Sequence, residues 1–313
     1  MMVIDMEQKY FQGSFDLQPY FEGWYFKVVT PNEKRIFVWI ASVSFTEEKK
    51  GYIQVLDSNE SITDTVEFSI SHVCFPSQSF IQIGDNCFKE NQIILNLKTI
   101  QHHYIGNLKL YSPTLLKTSM YAPTIMGPFS YFKNMQCNHG IISLCSQVTG
   151  TLFVDDIKID MDGATCYIEK DYGRSFPKEY LWLESHHAKK HKDCTIFCSY
   201  AHIPFPIFSF YGLICVLRIK KDQEVFATWN GAKTSFKYKN EQYQIHIKKR
   251  TKELTIIWKQ NQLHHLNAPK EGKMTDTIHE SSMDIFHVVL KKEGKTLFTD
   301  TFYCGNSEIS HLL

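Results

Sequence analysis

The sequence predicts an all-β protein made of two tandem units, each a barrel or a sandwich, with few short helices. Three observations predict it. Short runs of alternating apolar and polar residues, parted by turn residues, fill most of the 313-residue chain. Long segments with a 3.6-residue period are missing. The strand-like runs also fall into two similar groups, each of roughly eight, enough to close a small barrel.

Taken in order, Glu22–Thr30, Arg35–Phe45 and Tyr52–Leu56 each fit a strand, broken by Pro31-Asn32-Glu33 and by Glu47–Gly51. Glu67–Phe75, Ser79–Gly84, Gln92–Lys98 and Tyr104–Tyr111 follow. Ser112–Asn138, with Pro113, Pro123 and Pro128, reads as a long irregular loop with one helical turn, and loops of this length are often functional. Gly140–Cys145, Thr151–Val154 and Ile157–Met161 are strand-like, and so are Cys166–Asp171 and Tyr180–His187. The later strands are Cys194–His202, Gly212–Lys220, Val225–Thr228, Thr234–Lys239, Gln242–Lys248, Glu253–Gln260, Ile285–Lys291 and Lys295–Cys304. The units part near Gly173–Pro177, giving an N-terminal unit over 1–173 and a C-terminal unit over 174–313.

Composition narrows the function. With 34 basic and 33 acidic residues and no long run of one sign, the chain offers no footprint for nucleic acid. Nine scattered cysteines and a polar, mixed Met1–Gln12 suggest free thiols in a reducing cytoplasm. The most apolar stretch, Ile203–Val216, is broken by two prolines and a glycine, so no stable membrane anchor is expected. Nucleotide-binding glycine patterns and a GxSxG elbow are absent.

The densest chemistry lies in Cys166–His187, CYIEKDYGRSFPKEYLWLESHH. As strands, Tyr167, Glu169 and Asp171 share one face with Ile168, Lys170 and Tyr172 opposite; Trp182, Glu184 and His186 share another. Acids beside aromatics on one face mean a solvated rim or a polar site in an aromatic pocket. If the two strands are neighbours, their carboxyls crowd and one stays protonated; alternatively Arg174 and Asp171, flanking Gly173, lock a turn as an ion pair. In Tyr20–Lys27, YFEGWYFK, Glu22 shares a face with Trp24 and Phe26. Burial there raises a carboxyl's pKa and makes it a proton donor; the structural alternative pairs Glu22 with a base and puts Trp24 in the core. His186, His187, His191, Cys194 and Cys198 have a zinc-like look, but their spacing fits no ligand pattern, and adjacent strand histidines face opposite ways. His102-His103 and His264-His265 repeat the pairing. No metal is expected.

At YFEGWYFK and CYIEKDYGRSFPKEYLWLESHH the sequence resembles the tocopherol cyclase family. The resemblance extends through MGPFSYFKNMQCNHGIIS (Met126–Ser143), FATWNGAK (Phe226–Lys233) and APKEGKM (Ala268–Met274), so it covers nearly the whole chain. It implies two lipocalin-like β units, related to carotenoid hydratases, and closure of a chromanol ring on a prenylated hydroquinone. An acid protonates a trisubstituted alkene, a tertiary cation forms, and the phenol oxygen attacks it. Such a site needs a neutral carboxylic acid, apolar walls and aromatic faces for the cation.

On that resemblance Glu22 or Asp171 is the expected donor, with Glu169 a further acid. Arg174 and His187 organise the acids, and Trp24 and Trp182 line the cation. Tyr25, Tyr167, Glu184 and Trp229 complete the substrate site. The chain departs from the family at Ser185-His186-His187, where Ser-Asn-His is expected. The implied enzyme is an intramolecular lyase or isomerase with no cofactor, acting on a hydrophobic small molecule through transient membrane contact. The competing expectations are a lipocalin-like carrier that leaves its ligand unchanged, and a hydratase in which water traps the cation.

Overall fold

Alternation becomes strand along most of the chain. The computed structural model describes residues 9–60, 62–132, 135–204 and 208–312. Residues 1–8 of the polar opening, Lys133 and Asn134 of the proline-rich loop, and 205–207 of the apolar run lie outside these. Two compact units form. The first contains the described residues up to Ile125, then Phe129–Phe176 and Leu266–Thr277. The second contains Met126–Pro128, Pro177–His265 and the described residues from Ile278. Each is antiparallel, and the pair is an all-β, tandem lipocalin-like architecture.

The first unit holds β1 (Tyr20–Val29), β2 (Ile36–Phe45), β3 (Lys49–Asp57), β4 (Ile62–Ser69), β5 (Val73–Cys74) and β6 (Ile81–Ile83). It continues with β7 (Asn86–Phe88), β8 (Gln92–Lys98), β9 (His103–Thr114), β10 (Cys137–Val154), β11 (Ile157–Asp160) and β12 (Ala164–Gly173). The sheet order is β4-β3-β2-β1-β12-β10-β9-β8-β7-β6-β5, with β11 on β10. One face of it closes on Trp24, Phe26, Trp39, Phe80, Phe88 and Ile168, all inaccessible to solvent. Full burial of side chains this large contributes roughly 1.5–3 kcal/mol each.

The other face of β1 is buried too, which is unusual for antiparallel sheets. Part of the cover is the tip of a hairpin, Leu266–Thr277. There Gln54 Nε2 donates to Asn267 O at 2.9 Å, Asn267 N–H returns to Gln54 Oε1 at 2.8 Å, and Ser44 Oγ donates to Gly272 O. Gly272 has φ +74° and lies so close to β1 that a Cβ would fall 2.8 Å from Tyr20 N, so only glycine fits.

The second unit holds β13 (Tyr180–Ser185), β14 (His187–Ala188), β15 (Cys194–Pro204), β16 (Ser209–Ile219), β17 (Asp222–Ala227) and β18 (Lys233–Lys239). Then come β19 (Gln242–Lys249), β20 (Lys252–Lys259), β21 (Gln262–Lys270), β22 (Lys273–Lys292) and β23 (Lys295–Ser310), of which the β21–β22 tip Leu266–Thr277 belongs to the first unit. Its order is β17-β16-β15-β13-β23-β22-β20-β19-β18, with β14 on β23 and β21 on β22. Leu181, Leu183, Cys198, Phe226, Trp258 and Phe286 are among its core side chains.

Several expectations are corrected. The loop expected to reach Asn138 ends earlier, and 137–154 is one strand rather than two, because bulges near Ile141–Ser146 absorb the break in alternation. The helical turn in that loop is a short 3-10 segment, Gly127–Tyr131. The last hairpin is far longer than Ile285–Lys291, and β21 was not expected at all. Cys166–Asp171 and Tyr180–His187 are not sheet neighbours. β12 pairs with β1 and β10, whereas β13 pairs with β15 and β23.

Candidate functional site

The two faces of the β1–β12 pair carry different chemistry. On the inner face Glu22 is completely buried, and its carboxylate accepts from Gln12 N–H at 2.9 Å, Gly13 N–H at 3.1 Å and the Tyr20 hydroxyl. Lys170 Nζ lies 2.5 Å from its Oε1. That ammonium also donates to Tyr10 O and sits 5.0 Å from the Trp24 ring centroid and 5.1 Å from that of Tyr172. Trp24 Nε1 donates to Lys9 O at 2.7 Å. Residues 9–13 thus tie the entering chain to one end of the core, with Phe11 stacked on Phe75 at 3.8 Å.

Burial pushes the Glu22 carboxyl up, and Lys170, Tyr20 and the Gln12 amide pull it back. Burial pushes the Lys170 ammonium down, and Glu22 opposes it. The amides and the ammonium can only donate, so this donor set fits the carboxylate. Glu22 and Trp24 share a face as expected, but the arrangement is a buried ion pair.

On the outer face β10 and β12 bring four polar side chains into one cluster. His139 Nδ1 is 2.9 Å from Asp171 Oδ1, and His139 Nε2 is 3.7 Å from Glu169 Oε2. The Tyr167 hydroxyl donates to Glu169 Oε2 at 2.5 Å. The Tyr25 ring meets the Tyr167 ring edge-on at 6.4 Å. The cross-strand register explains the grouping: His139 lies opposite Asp171, and Tyr25 opposite Glu169. Tyr167 and Glu169 are buried, while Asp171 is the most open carboxyl of the group.

Burial works against a charged His139, but the Asp171 and Glu169 carboxylates outweigh it and hold the imidazole up at about 9. Burial, then Asp171, pushes the Cys137 thiol well up, so it is no thiolate nucleophile. His139, Glu169 and Asp171 also bring ligand atoms within 4.8 Å of one another, the one such metal-sized grouping among the described residues. An imidazole that keeps its proton to about 9 competes with any cation there.

Arg174 does not join the acids. Its Nη2 is 2.8 Å from Glu271 Oε2 in an exposed pair, while Asp171 turns to His139. The expected Arg174–Asp171 lock is therefore not made.

The remaining expected residues belong to the second unit. Trp182 and Glu184 are buried on one face of β13, and His186 Nδ1 is 2.8 Å from Glu184 Oε1. His187 opens β14 after a break at His186, and the two imidazole rings lie 4.7 Å apart rather than on opposite faces as expected; the His187 N–H donates to Ser185 Oγ at 3.2 Å. Trp229 is half-buried against Gly127, where a Cβ would fall within 2.4 Å of its ring. His191 holds Asp300 at 2.7 Å, and Cys194 and Cys198 are buried core. The zinc-like set is thus dispersed among other partners.

The sequence reading missed His139 and Lys170. Lys170 was legible as a cation on an otherwise apolar strand face, and His139 fell between the loop read to Asn138 and the strand read from Gly140. It also missed a buried polar patch in the second unit. There Asn306 Nδ2 donates to Glu280 Oε1 at 2.5 Å, the Tyr180 hydroxyl donates to Glu308 at 2.7 Å, and Glu280 faces Glu308 across the strands. An open cleft of about 540 Å³ at the far end of β1, lined by Thr30, Lys34, Arg35 and Asp160 among others, contains none of the relay residues.

The whole fold has solved counterparts. CghA, determined with Sch210972, matches with a TM-score of 0.57 at 11% identity, over 93% of this chain and 88% of its own. Kievitone hydratase from Nectria haematococca matches with a TM-score of 0.54 at 10% identity, over 92% and 89%. At this identity the likeness establishes the fold alone. No family profile matches the chain, and no curated protein matches it in sequence.

Proposed function

We propose that the chain is an acid–base enzyme acting on a hydrophobic, prenyl-type molecule, and that its reaction is a proton-initiated cyclisation. The observation that supports this is the cluster Asp171–His139–Glu169–Tyr167, half-buried at Asp171 and His139 and buried at Glu169 and Tyr167, flanked by the Tyr25 ring. In the resting relay the imidazole carries the proton. An apolar substrate laid over Asp171 expels water, and desolvation disfavours separated charges. The proton then passes along the 2.9 Å contact to the carboxyl, leaving a neutral acid beside a neutral imidazole.

Asp171 delivers that proton to one alkene carbon, and the other becomes a tertiary cation. The Tyr25 and Tyr167 rings offer it electron-rich faces. A phenol oxygen attacks the cation and closes the ring. Its proton returns to Asp171, so nothing is consumed and no redox partner is needed. Glu169, held by Tyr167, keeps the imidazole in place. Glu22 takes no part; its role is structural.

A second reading has its own support, since one protein of this fold is by name a hydratase. Hydration and cyclisation share the protonation step and differ in what traps the cation, so product mass separates them. We also place the protein in a reducing compartment, because none of the nine cysteines is in a disulfide. Among the described residues no helix is long and apolar enough to cross a membrane.

The test is turnover of a prenylated hydroquinone by the full chain. Asp171→Asn lowers the rate by about 10²-fold or more while the protein still folds. Full turnover by both Asp171→Asn and Glu169→Gln overturns the assignment. A ligand recovered unchanged, with no turnover by the unmodified chain, identifies a carrier instead.

A further inference from the structure

The segment between β9 and β10 carries a second surface, independent of the reaction proposed above. We infer that it is a docking tip for an anionic lipid bilayer. The first observation is geometric. Ser119 N–H donates to Ala122 O at 2.9 Å and Ala122 N–H returns to Ser119 O at 3.1 Å, closing a tight turn with Met120 and Tyr121 at its tip. Turn tips ordinarily hold glycine, asparagine, aspartate or proline. Here a Met that is 84% exposed and a Tyr that is 66% exposed stand in their place. The Tyr131 hydroxyl donates to Met120 O, which fixes another exposed ring beside the tip. Leu115 and Phe132, on the same segment, are exposed as well. An apolar side chain flanked by tyrosines suits the boundary between headgroups and acyl chains.

The second observation is charge. Residues 91–154 contain no aspartate or glutamate, although acids make up 33 of the 313 residues of the chain. The same stretch carries Lys117, three residues before the tip, and Lys109 on β9, while Lys98 lies by the opposite end of β9. An apolar tip rising from an acid-free, lysine-bearing region complements an anionic headgroup layer. A narrow Met tip set beside exposed tyrosine rings, rather than a flat apolar face, favours a bilayer over an acidic protein surface. Lysines near such a surface each strengthen partitioning by about fivefold.

The experiment is sedimentation of the full chain with phosphatidylcholine vesicles, with and without about a third phosphatidylglycerol. Binding to the anionic vesicles is expected, weakening as salt is added. The double variant Met120→Ser/Tyr121→Ser lowers partitioning by about tenfold or more. Lys117→Gln lowers it by about fivefold on the anionic vesicles only. Ile100→Ser, at the hairpin before the opposite end of β9 and 93% exposed, leaves it unchanged. The inference is overturned if the double variant binds like the unmodified chain, if neither binds, or if Ile100→Ser weakens binding equally. It is also overturned if the unmodified chain self-associates and the double variant is monomeric, which would make the tip a contact between copies. No substrate enters this measurement, so its failure leaves the proposed reaction standing.

Discussion

The inner and outer faces of the β1–β12 pair both bury charge beside aromatic rings, and they do so for different ends. Glu22, inside, meets main-chain amides, a tyrosine hydroxyl and an ammonium, so every neighbour stabilises the ionised form. Asp171, outside, meets an imidazole that itself exchanges a proton. The inner arrangement is a carboxyl whose every hydrogen-bond partner is a donor, and on the proposed reaction the outer one is a store from which a proton moves. A buried acid next to a tryptophan is therefore not enough to mark a proton donor. The partners decide, by whether they can take the proton back.

The largest effect expected from this contrast is on stability. Lys170→Met leaves Glu22 buried without its cation, and breaking such a pair costs about 3–5 kcal/mol. Adding Glu22→Gln to Lys170→Met restores most of the loss, because two neutral groups then share the site. Denaturant unfolding of the single and double variants checks this. If Lys170→Met alone is neutral, Glu22 is not the ion-paired carboxylate described above, and its candidacy as an acid reopens.

A second effect, on the outer face, is set by pH. The His139 pKa lies at about 9, above the ordinary value near 6.5, so the folded state gains from its protonation. That stabilisation is complete below about pH 6.5 and is lost as pH rises through about 9, with a size on the order of 3 kcal/mol. His139→Gln removes the step. Unfolding measured between neutral pH and pH 10 shows it, and direct titration of the His139 ring by NMR fixes its midpoint. A midpoint near the ordinary histidine value would mean that the carboxylates do not hold the proton, and the relay would lose its resting charge.

How much of this was legible in the sequence follows from the same strands. The period of two put Tyr167, Glu169 and Asp171 on one face of β12 and Glu22 with Trp24 on one face of β1, and both groupings stand. What alternation does not carry is which strand lies alongside. Nothing in Cys137-Asn138-His139 says that it runs opposite Asp171, because the bulges after Ile141 hide the strand behind a prolyl loop. Lys170 was placed on the right face, but its partner is fixed by the diagonal across β1. Arg174 was read as the partner of Asp171 because it is near in sequence. The pairing went instead to Glu271, far along the chain, which only the β21–β22 hairpin brings into reach. Local spacing finds faces; non-local register finds partners.

The smallest expected effect is a control for the pH argument. His102 also lies between two carboxylates, with Nδ1 2.7 Å from Asp155 and Nε2 2.8 Å from Glu60, and it pins two turns of the first unit together. The Asp155 hydrogen bond raises its pKa, burial opposes it, and Glu60 adds to the rise. Its stabilisation therefore has the same sign as that of His139, present in full below about pH 6.5 and fading as pH rises through the raised value. The two carboxylate partners of His102 are far more exposed than those of His139, so screening and side-chain entropy keep this stabilisation within about 1 kcal/mol. His102→Gln should then barely move the unfolding midpoint, and added salt should erase what difference there is. The two histidines have the same kinds of partner and differ in how enclosed those carboxylates are. If His102→Gln abolished the alkaline step while His139→Gln left it, exposure rather than enclosure would govern the proton, and the outer face would have no claim to be the active one.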